Sequence, residues 1–381
     1  MKTVCKKNEC TGCNACVAAC KKKAIHINDT MIAFNAIIDE NICVNCGACM
    51  KTCPVNYPVN RFIPRWWFQG WSGDEQVRMN SASGGFATAI SKFFIRDGGV
   101  VATCFFERGE FVYKLINDVN DLERAAGSKY VKSSTGDIYE KIKVLLMNNQ
   151  KVLFLGLPCQ VAGLLSSIGE SLRKNLYTID LICHGTPSVK LLNIRLKQSH
   201  INISEIDDIK FRIKNSFHIY NGYNPIEDLR CLDPYIFTFL KGINYTNNCY
   251  NCQYAREERI SDITLGDSWG SKLPFEEMQK GISLALCQSE KGKELLENAD
   301  LLLLDADKNV ALKSNYQLNH PMKKSIKHLL FFKCLHVFKN YKVACFFAAP
   351  IIMFKQFVKK VLIHMNVWGG IKQNKYTIII K

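Results

Sequence analysis

The C-terminal part of this 381-residue sequence has no acidic residues. Between Lys308 and Lys381 there is no Asp or Glu, whereas there are 14 lysines. The whole chain has 50 basic and 34 acidic residues and a formal net charge of +16, so residues 1–307 carry 36 basic and 34 acidic residues. The basic character therefore belongs to a tail, residues 308–381. No nucleic-acid-binding motif accompanies it, and we expect no nucleic-acid partner.

The sequence also lacks a recognisable secretory signal and low-complexity segments. Met1 is followed at once by residues leading into a cysteine motif, without an apolar signal core. The apolar run 344–354 is interrupted by Pro350 and is shorter than the roughly 20 residues that a membrane-spanning helix requires. We expect a cytoplasmic protein of two or three domains.

Cysteine is abundant, with 18 residues, and eight of them form two copies of one spacing. Residues 10–20 and 43–53 both read C-x2-C-x2-C-x3-C, the spacing of bacterial ferredoxin clusters, in which the fourth cysteine ligates the other cluster. The pattern predicts two 4Fe–4S clusters, one held by Cys10, Cys13, Cys16 and Cys53 and the other by Cys20, Cys43, Cys46 and Cys49. Zinc sites use four ligands in all, and disulfides need an oxidising compartment, so neither explains two such runs.

Hydrophobic periodicity predicts an α+β or α/β architecture beyond this module. Residues 1–60 would form a dicluster ferredoxin-like domain. A mixed-sheet α/β body would follow in two parts, residues 66–150 and 151–307, and then the basic helical tail. We expect strands at 151–155, 177–183, 209–213, 263–266, 283–287 and 301–304, and helices at 84–95, at 137–148 and from about residue 160.

Short motifs in the body have the residue types of a nucleotide site. Ser83, Gly84 and Gly85 precede a helix, where free N–H groups favour a phosphate. The segment 127–133 offers backbone donors and the charge of Lys129, although a surface loop with a solvated lysine explains it equally. The segment 156–160 follows a buried strand, which is where open α/β sheets bind ligands, and 183–188 follows the next strand. Two further motifs are the cysteine pair of 249–252 and the segment 261–270.

Together and in this order, these motifs resemble the coenzyme F420 hydrogenase/dehydrogenase beta-subunit family over about residues 1–300. That family includes deazaflavin-oxidising subunits of methanogens, a plant chlorophyll reductase, and ferredoxin-fused bacterial proteins of surface-polysaccharide loci. The resemblance implies a bound FAD. Its expected ligands are Ser83, Gly84, Gly85, Ser128, Lys129, Tyr130, Pro158 and Gln160.

Four cysteines of the body are candidates for a third 4Fe–4S cluster: Cys159, Cys249 and Cys252, with Cys183 as a possible fourth ligand. A zinc site and cysteines that simply pack as small apolar residues are the alternatives. Family members without the ferredoxin module still carry a cluster, so the resemblance favours iron–sulfur. The six cysteines without ligand spacing are expected to be packing residues: Cys5, Cys104, Cys231, Cys287, Cys334 and Cys345.

His184 is the candidate catalytic residue. It could serve as a proton donor or as a hydrogen-bond donor to the flavin, and a core histidine bonded to a carbonyl is an equal alternative. Asp267 could cap a turn near the flavin.

These features predict an iron–sulfur flavoprotein oxidoreductase. Clusters transfer one electron at a time and organic substrates accept two, and a flavin connects the two regimes. Electrons would move in either direction between an external donor, such as reduced ferredoxin or deazaflavin, and a small-molecule substrate. Surface-polysaccharide biosynthesis is a candidate process. The alternative is a non-catalytic electron-transfer subunit that supplies a partner enzyme.

The tail interleaves lysines with apolar residues, among them Phe332, Leu335, Phe338 and Phe357, at spacings near three and four. Such a pattern is typical of a basic amphipathic segment on an anionic membrane surface, here the inner face of the membrane. The alternatives are an apolar face packed on the protein's own body and a docking surface for an acidic partner.

Overall fold

The computed structural model describes residues 2–365, and the end of the predicted tail, residues 366–381, lies outside the described residues. The N-terminal module contains a three-stranded antiparallel sheet of β1 (Lys2–Thr3), β2 (Ile25–Asp29) and β3 (Phe34–Ile38), with β3 in the centre. Two short helices, α1 (Ala15–Ala19) and α2 (Ala48–Lys51), each begin inside one cysteine motif.

The body contains eleven further strands within the described residues: β4 (Trp66–Ser72), β5 (Val100–Glu107), β6 (Glu110–Ile116), β7 (Val152–Leu155), β8 (Leu176–Leu181), β9 (Ile209–Lys210), β10 (Tyr220–Asn221), β11 (Asn224–Pro225), β12 (Ile263–Asp267), β13 (Ser283–Cys287) and β14 (Leu301–Asp305). Eight of them form one mixed sheet in the order β14-β4-β13-β12-β8-β7-β5-β6. The central strands β12, β8, β7 and β5 are parallel, and both sides of the sheet end in antiparallel strands. Strands β9, β10 and β11 form a small separate sheet.

Helices cover the large sheet and continue to the end of the described chain: α3 (Glu75–Asn80), α4 (Phe86–Arg96), α5 (Leu122–Ala125), α6 (Ile138–Met147), α7 (Pro158–Ser167), α8 (Val189–Lys197), α9 (Pro234–Leu240), α10 (Asn247–Tyr250), α11 (Phe275–Lys280), α12 (Glu290–Asn298), α13 (Lys308–Ser314), α14 (Ile326–Phe338), α15 (Tyr341–Ala348) and α16 (Pro350–His364). The predicted fold class, a ferredoxin-like module followed by a mixed-sheet α/β body and a helical tail, is confirmed.

Several element boundaries differ from the prediction by one or two residues, and two differences affect the site. Helix α7 begins at Pro158 rather than near residue 160, because proline is favoured in the first turn and the Leu157 N–H donates to the Gln160 side chain at 3.0 Å. Cys159 therefore lies in the first turn of a helix. The expected strand 209–213 is paired only at Ile209–Lys210, and the chain then turns so that Arg212 points back to the body.

The ferredoxin module packs closely on the body at α7. A Cβ atom at Gly163 would lie 3.2 Å from Cys13 Sγ and 2.9 Å from the hydroxyl of Tyr139, so only glycine allows this approach. Thr135 Oγ1 donates a hydrogen bond to the Cys13 carbonyl at 3.2 Å. The Asn247 N–H also donates to the Ile32 carbonyl at 2.8 Å. Cys13 of the first motif thus faces the body, whereas Cys10 and Cys16 are buried within the N-terminal module.

Most of the described tail is part of the body's core, as the packing alternative predicted. In α14, Phe332 and Leu335 are buried among apolar residues of α8 and α9. In α15, Tyr341 is fully buried and its hydroxyl lies 2.6 Å from Thr238 Oγ1 and 3.1 Å from Asn244 Nδ2. For Phe332 and Leu335 the packing alternative therefore applies, because these side chains already cover a protein surface.

Helix α16 differs from the rest of the tail because none of its side chains is buried. Its most exposed apolar residues recur at helical spacing along one face: Ile351, Phe354, Phe357, Val358, Val361 and Met365. The half-buried residues of α16, such as Ile352 and Met353, lie on the opposite face and pack on the body. None of the helices within residues 2–365 combines the length and apolar composition that crossing a bilayer requires.

Two tail aromatics allow a direct test of this packing. Tyr341→Ala should reduce the free energy of unfolding by about 3–5 kcal/mol, because it removes a fully buried aromatic side chain and leaves a cavity. Phe357→Ala, at a side chain that is 64% exposed, should change stability by less than about 0.5 kcal/mol. Anaerobic urea unfolding followed by tryptophan fluorescence measures both. Equal small effects would show that α15 does not pack on the body.

Candidate functional site

The two N-terminal cysteine motifs have the same backbone shape. Gly12 and Asn14 of the first motif, and Asn45 and Gly47 of the second, all have positive φ angles, between 54° and 72°. In each motif the residue two positions after the first cysteine donates its N–H to that sulfur: Gly12 to Cys10 Sγ at 3.3 Å and Asn45 to Cys43 Sγ at 3.4 Å. Such N–H donors stabilise sulfur that carries negative charge.

The structure brings the eight cysteines together in the two predicted groups. Burial raises the pKa of Cys16, and the neighbouring sulfurs of Cys13, Cys10 and Cys53 raise it further, with a smaller effect of Cys49 from the second group. Burial likewise raises the pKa of Cys49, followed by the sulfurs of Cys20, Cys43 and Cys46. All four cysteines of the first group are buried, whereas Cys46 of the second group is exposed.

One further cysteine lies beside the first group, which the spacing did not indicate. Cys5 is buried, and the neighbouring sulfurs of Cys10 and Cys53 raise the pKa of its thiol above the ordinary value. The sequence predicts only a packing role for it. Its position in the N-terminal strand region, outside the regular spacing, gives no sequence signal for this contact.

Four cysteines of the body line a cavity of about 480 Å³: Cys159, Cys183, Cys249 and Cys252. Cys159 lies in α7, Cys183 follows β8, and Cys249 lies in α10. Burial raises the pKa of Cys183, and the sulfurs of Cys249, Cys159 and Cys252 add to this, so the four are close neighbours. Within residues 2–365, no three His, Cys, Asp or Glu side chains are arranged as for a single metal ion.

A buried lysine, Lys132, contacts this cysteine group. Its Nζ donates to Cys159 Sγ at 3.2 Å, and the residue is only 6% exposed. Burial by itself lowers the pKa of Lys132, but Cys159, Cys13 and Cys249 together raise it above the ordinary value. Among the described residues, Lys132 forms no ion pair with a carboxylate. The sequence motif 127–133 contains two lysines, and the resemblance singled out only Lys129.

A second cavity, of about 300 Å³, adjoins the first. Of the residues predicted to hold a flavin, Ser83, Gly85, Ser128, Lys129 and Tyr130 line it.

The other three predicted flavin ligands lie elsewhere. Gly84 is packed beneath the loop, where a Cβ atom would lie 2.4 Å from the Gly70 carbonyl oxygen. Pro158 lines the four-cysteine cavity. Gln160 is fully buried and lines neither cavity, because its amide is bonded to Ser133 and Leu157 and thereby fixes the adjacent loop.

The charged groups of the second cavity are Lys129 and an ion pair that the sequence did not reveal. Lys129 Nζ donates to the carbonyls of Ala125 and Ala126 at the end of α5, and burial lowers its pKa. Arg212 Nη1 lies 2.6 Å from Asp267 Oδ2, and its guanidinium is 5.4 Å from the ring centre of Trp269. Asp267 was expected near a turn, but no motif marked Arg212.

The two cavities share one wall, and His184 is part of it. Both are lined by Leu157, Cys183, His184, Gly185, Thr186 and Gln317. The Tyr245 hydroxyl donates to the Phe239 carbonyl at 2.6 Å, so we assign the 2.6 Å contact with His184 as donation from Nδ1–H to Tyr245. Burial lowers the pKa of His184 to about 4. In this tautomer Nε2 is an acceptor and lies 3.2 Å from the Tyr316 hydroxyl.

Comparisons with known proteins agree with this organisation. Residues 9–57 match the family model of the 4Fe-4S dicluster domain. Residues 67–138 match the N-terminal family model, and residues 149–304 the C-terminal family model, of the coenzyme F420 hydrogenase/dehydrogenase beta subunit. No curated protein matches the sequence significantly.

A similar solved structure is a chain of the F420-reducing [NiFe] hydrogenase complex from Methanosarcina barkeri, studied by xenon derivatization. It has 17% sequence identity and a TM-score of 0.49, and the match covers 68% of this chain and 90% of that one. With its N-terminal dicluster domain, the chain is an iron–sulfur electron-transfer protein, and it belongs to the coenzyme F420 hydrogenase/dehydrogenase beta-subunit family.

Proposed function

We propose that this protein is an iron–sulfur flavoenzyme that exchanges electrons between an external redox partner and a two-electron organic substrate or deazaflavin. The observation that carries the proposal is the wall shared by the two cavities. It separates four cysteines, suited to a cluster, from a cavity lined by backbone donors and positive charge. A cluster in one cavity and a flavin in the other would supply one-electron and two-electron chemistry side by side.

Lys132 supports an anionic cluster at the four cysteines of the body. An unpaired buried ammonium is strongly unfavourable unless negative charge lies next to it, and no carboxylate within residues 2–365 pairs with Lys132. Burial also raises the pKa of Cys183 and Cys252, so these sulfurs need bound cations to stay ionised. Iron held by Cys159, Cys183, Cys249 and Cys252 satisfies both requirements.

The difference in exposure between the cysteine groups supports a docking site for an external redox partner at the second N-terminal group. The second group includes the exposed Cys46, and the nearby Val44 and Met50 are also exposed. The first group is buried and borders on it through Cys16 and Cys49. Cys13 of the first group packs on α7, the helix that carries Cys159. A partner that docks at the exposed group is therefore connected to the body through buried cysteines.

In the second cavity, the chain's own residues would bind and orient the flavin. The loop with Ser83 and Gly85 leads into the N-terminus of α4, whose free N–H groups favour an anionic group such as a phosphate. Lys129 adds positive charge on another side of the cavity, where Arg212 is paired with Asp267. His184 presents a neutral ring at the wall, and its Nε2 can hold a hydrogen bond from Tyr316 or from a ligand.

The metal content tests the cluster assignment. Anaerobically purified protein should contain about twelve irons per chain if all three sites hold 4Fe–4S clusters, and Cys159→Ala should leave about eight. The matched control is Cys287→Ala, a buried cysteine of β13 without cysteine neighbours, which should keep all twelve. Unchanged iron in Cys159→Ala contradicts the third cluster, and about one zinc per chain in place of four irons supports the zinc alternative.

Flavin binding tests the second cavity. Flavin-supplemented anaerobic expression should yield protein that releases FAD on denaturation. Lys129→Met should weaken its binding about tenfold, because the variant removes a positive charge from the cavity wall while keeping the apolar stem.

Lys114→Met is the control for this variant, because Lys114 pairs with Glu107 outside both cavities. Fluorescence titration of flavin-free protein measures the dissociation constants. Equal constants for the Lys129 variant and the wild type would remove Lys129 from the flavin site.

The alternative function is a carrier subunit without a reaction of its own. It is favoured by the exposed apolar residues around the second cysteine group, including Ile42, Val44 and Met50, which suit a protein partner. Isolated enzyme should turn over organic electron acceptors with an artificial reductant such as dithionite-reduced viologen. A protein that holds clusters but no flavin, and that shows no turnover until a partner is added, is the carrier.

We also propose that α16 attaches the protein to anionic membrane surfaces, on the inner face of the membrane. Its exposed apolar face points away from the body, Lys355 lies on the same helix, and residues 308–381 contain no acidic residue. Each lysine near such a surface contributes about 1 kcal/mol. The apolar residues would insert among the lipid headgroups.

Flotation with vesicles of phosphatidylglycerol and phosphatidylcholine tests this attachment. The wild type should float at low salt, and the double variant Phe354→Ser, Phe357→Ser should remain at the bottom. A chain ending at Ala349 should behave like the double variant while keeping the buried helices α14 and α15. The control is Phe275→Ser, an equally exposed aromatic of α11. If the wild type does not float, α16 does not attach the protein to anionic membranes.

A further inference from the structure

The ammonium of Lys132 lies between cysteines of two cluster sites. It donates to Cys159 Sγ at 3.2 Å, and its charge also acts on Cys13 of the first N-terminal group and on Cys249 of the body group. The other lysine of this loop, Lys129, bonds to backbone carbonyls at the end of α5 instead. Lys132 is therefore the cation of the loop that faces the cysteines.

The surrounding chain holds Lys132 in this position. Its N–H donates to the Pro187 carbonyl at 2.9 Å, and the neighbouring Val131 and Ser133 are both buried. Gln160 Nε2 donates to Ser133 Oγ at 3.1 Å, from the same helix that carries Cys159. The loop and the ligand-bearing helix are thus fixed to each other, which keeps the backbone of Lys132 next to Cys159.

We propose that Lys132 is a positioning residue that raises the reduction potential of the cluster held by Cys159, Cys183, Cys249 and Cys252. Each electron that a cluster accepts adds one negative charge, and a fixed buried cation stabilises the more negative, reduced form. Because the hydrogen bond is to Cys159, the body cluster is affected most, and the first N-terminal cluster, reached only through Cys13, is affected less. Lys132 would thereby make the body cluster the preferred electron acceptor next to the second cavity. This inference rests on the proposed function, specifically on the third cluster.

Lys132→Met and Lys132→Arg test the inference when the potentials of all clusters are measured by anaerobic redox titration with electron paramagnetic resonance. In Lys132→Met the ratio of oxidised to reduced body cluster at a given potential should rise about tenfold, which for one electron is a potential lower by about 59 mV. Lys132→Arg should restore most of the wild-type value. Cys159→Ala identifies the signal of the body cluster by its loss. Lys114→Met is the control, since it removes a lysine charge that lies outside both cavities.

The outcomes distinguish an effect of the Lys132 charge from an effect of its hydrogen bond, and both from the absence of a third cluster. Lys132→Gln keeps a donor without the charge and should shift the potential as Lys132→Met does; a wild-type value in this variant overturns the inference. It is also overturned if the body cluster keeps its potential in Lys132→Met, or if Lys114→Met shifts that potential equally. Wild-type protein with only two clusters instead contradicts the proposed function, and iron analysis of each variant distinguishes that case. If Lys132→Met does not fold, the potential of the body cluster in Lys132→Gln tests the inference instead.

Discussion

The parallel register of three strands determines where the chemistry of this protein is located. β8 lies between β7 and β12, and all three run in the same direction, so the segments that follow them leave the sheet side by side. Cys159 and Cys183 follow β7 and β8, and Asp267 is the last residue of β12. Residues that are more than 100 positions apart therefore meet at one edge of the sheet. The wall between the two cavities consists largely of these strand ends, so a shift of one strand would displace both sites.

The parts of the site that could be predicted from sequence are those with local patterns. The cysteine spacing predicts the two N-terminal groups because each motif folds within eleven residues, and the strand pattern predicts that Cys159 and Cys183 follow neighbouring strands. Lys132 and Lys129 look alike in sequence. Their difference depends on the path of the loop, which long-range bonds to Pro187 and Gln160 determine. Arg212 was missed because a strand pattern continues through it, although pairing ends at Lys210.

The tail shows the same limit for hydrophobic patterns. Helices α14, α15 and α16 all combine lysines with apolar residues, yet Phe332 and Tyr341 are buried while Phe354 and Phe357 are exposed. Hydrophobic periodicity predicts which face of a helix is apolar. It does not predict whether the body has an apolar surface on which that face can pack, because this depends on the whole fold. The body has such a surface for α15, where Thr238 and Asn244 form hydrogen bonds with the hydroxyl of Tyr341. For the outer face of α16, no described part of the chain covers the apolar residues.

The body cysteines are far apart in the sequence, so the proposed clusters would be assembled in a fixed order. Both N-terminal sites are complete once residue 53 has been made, because each takes one cysteine from the other motif. Iron and sulfide can then be delivered to these cysteines while the rest of the chain is still being made. The body group becomes complete only when Cys252 has joined Cys159 and Cys183, and it is then enclosed beneath the N-terminal module. Insertion of the proposed third cluster would therefore fall between folding of the sheet and packing of the module on it. Cells that make the chain faster than they supply iron would then accumulate protein in which the N-terminal sites are filled and the proposed body site is not.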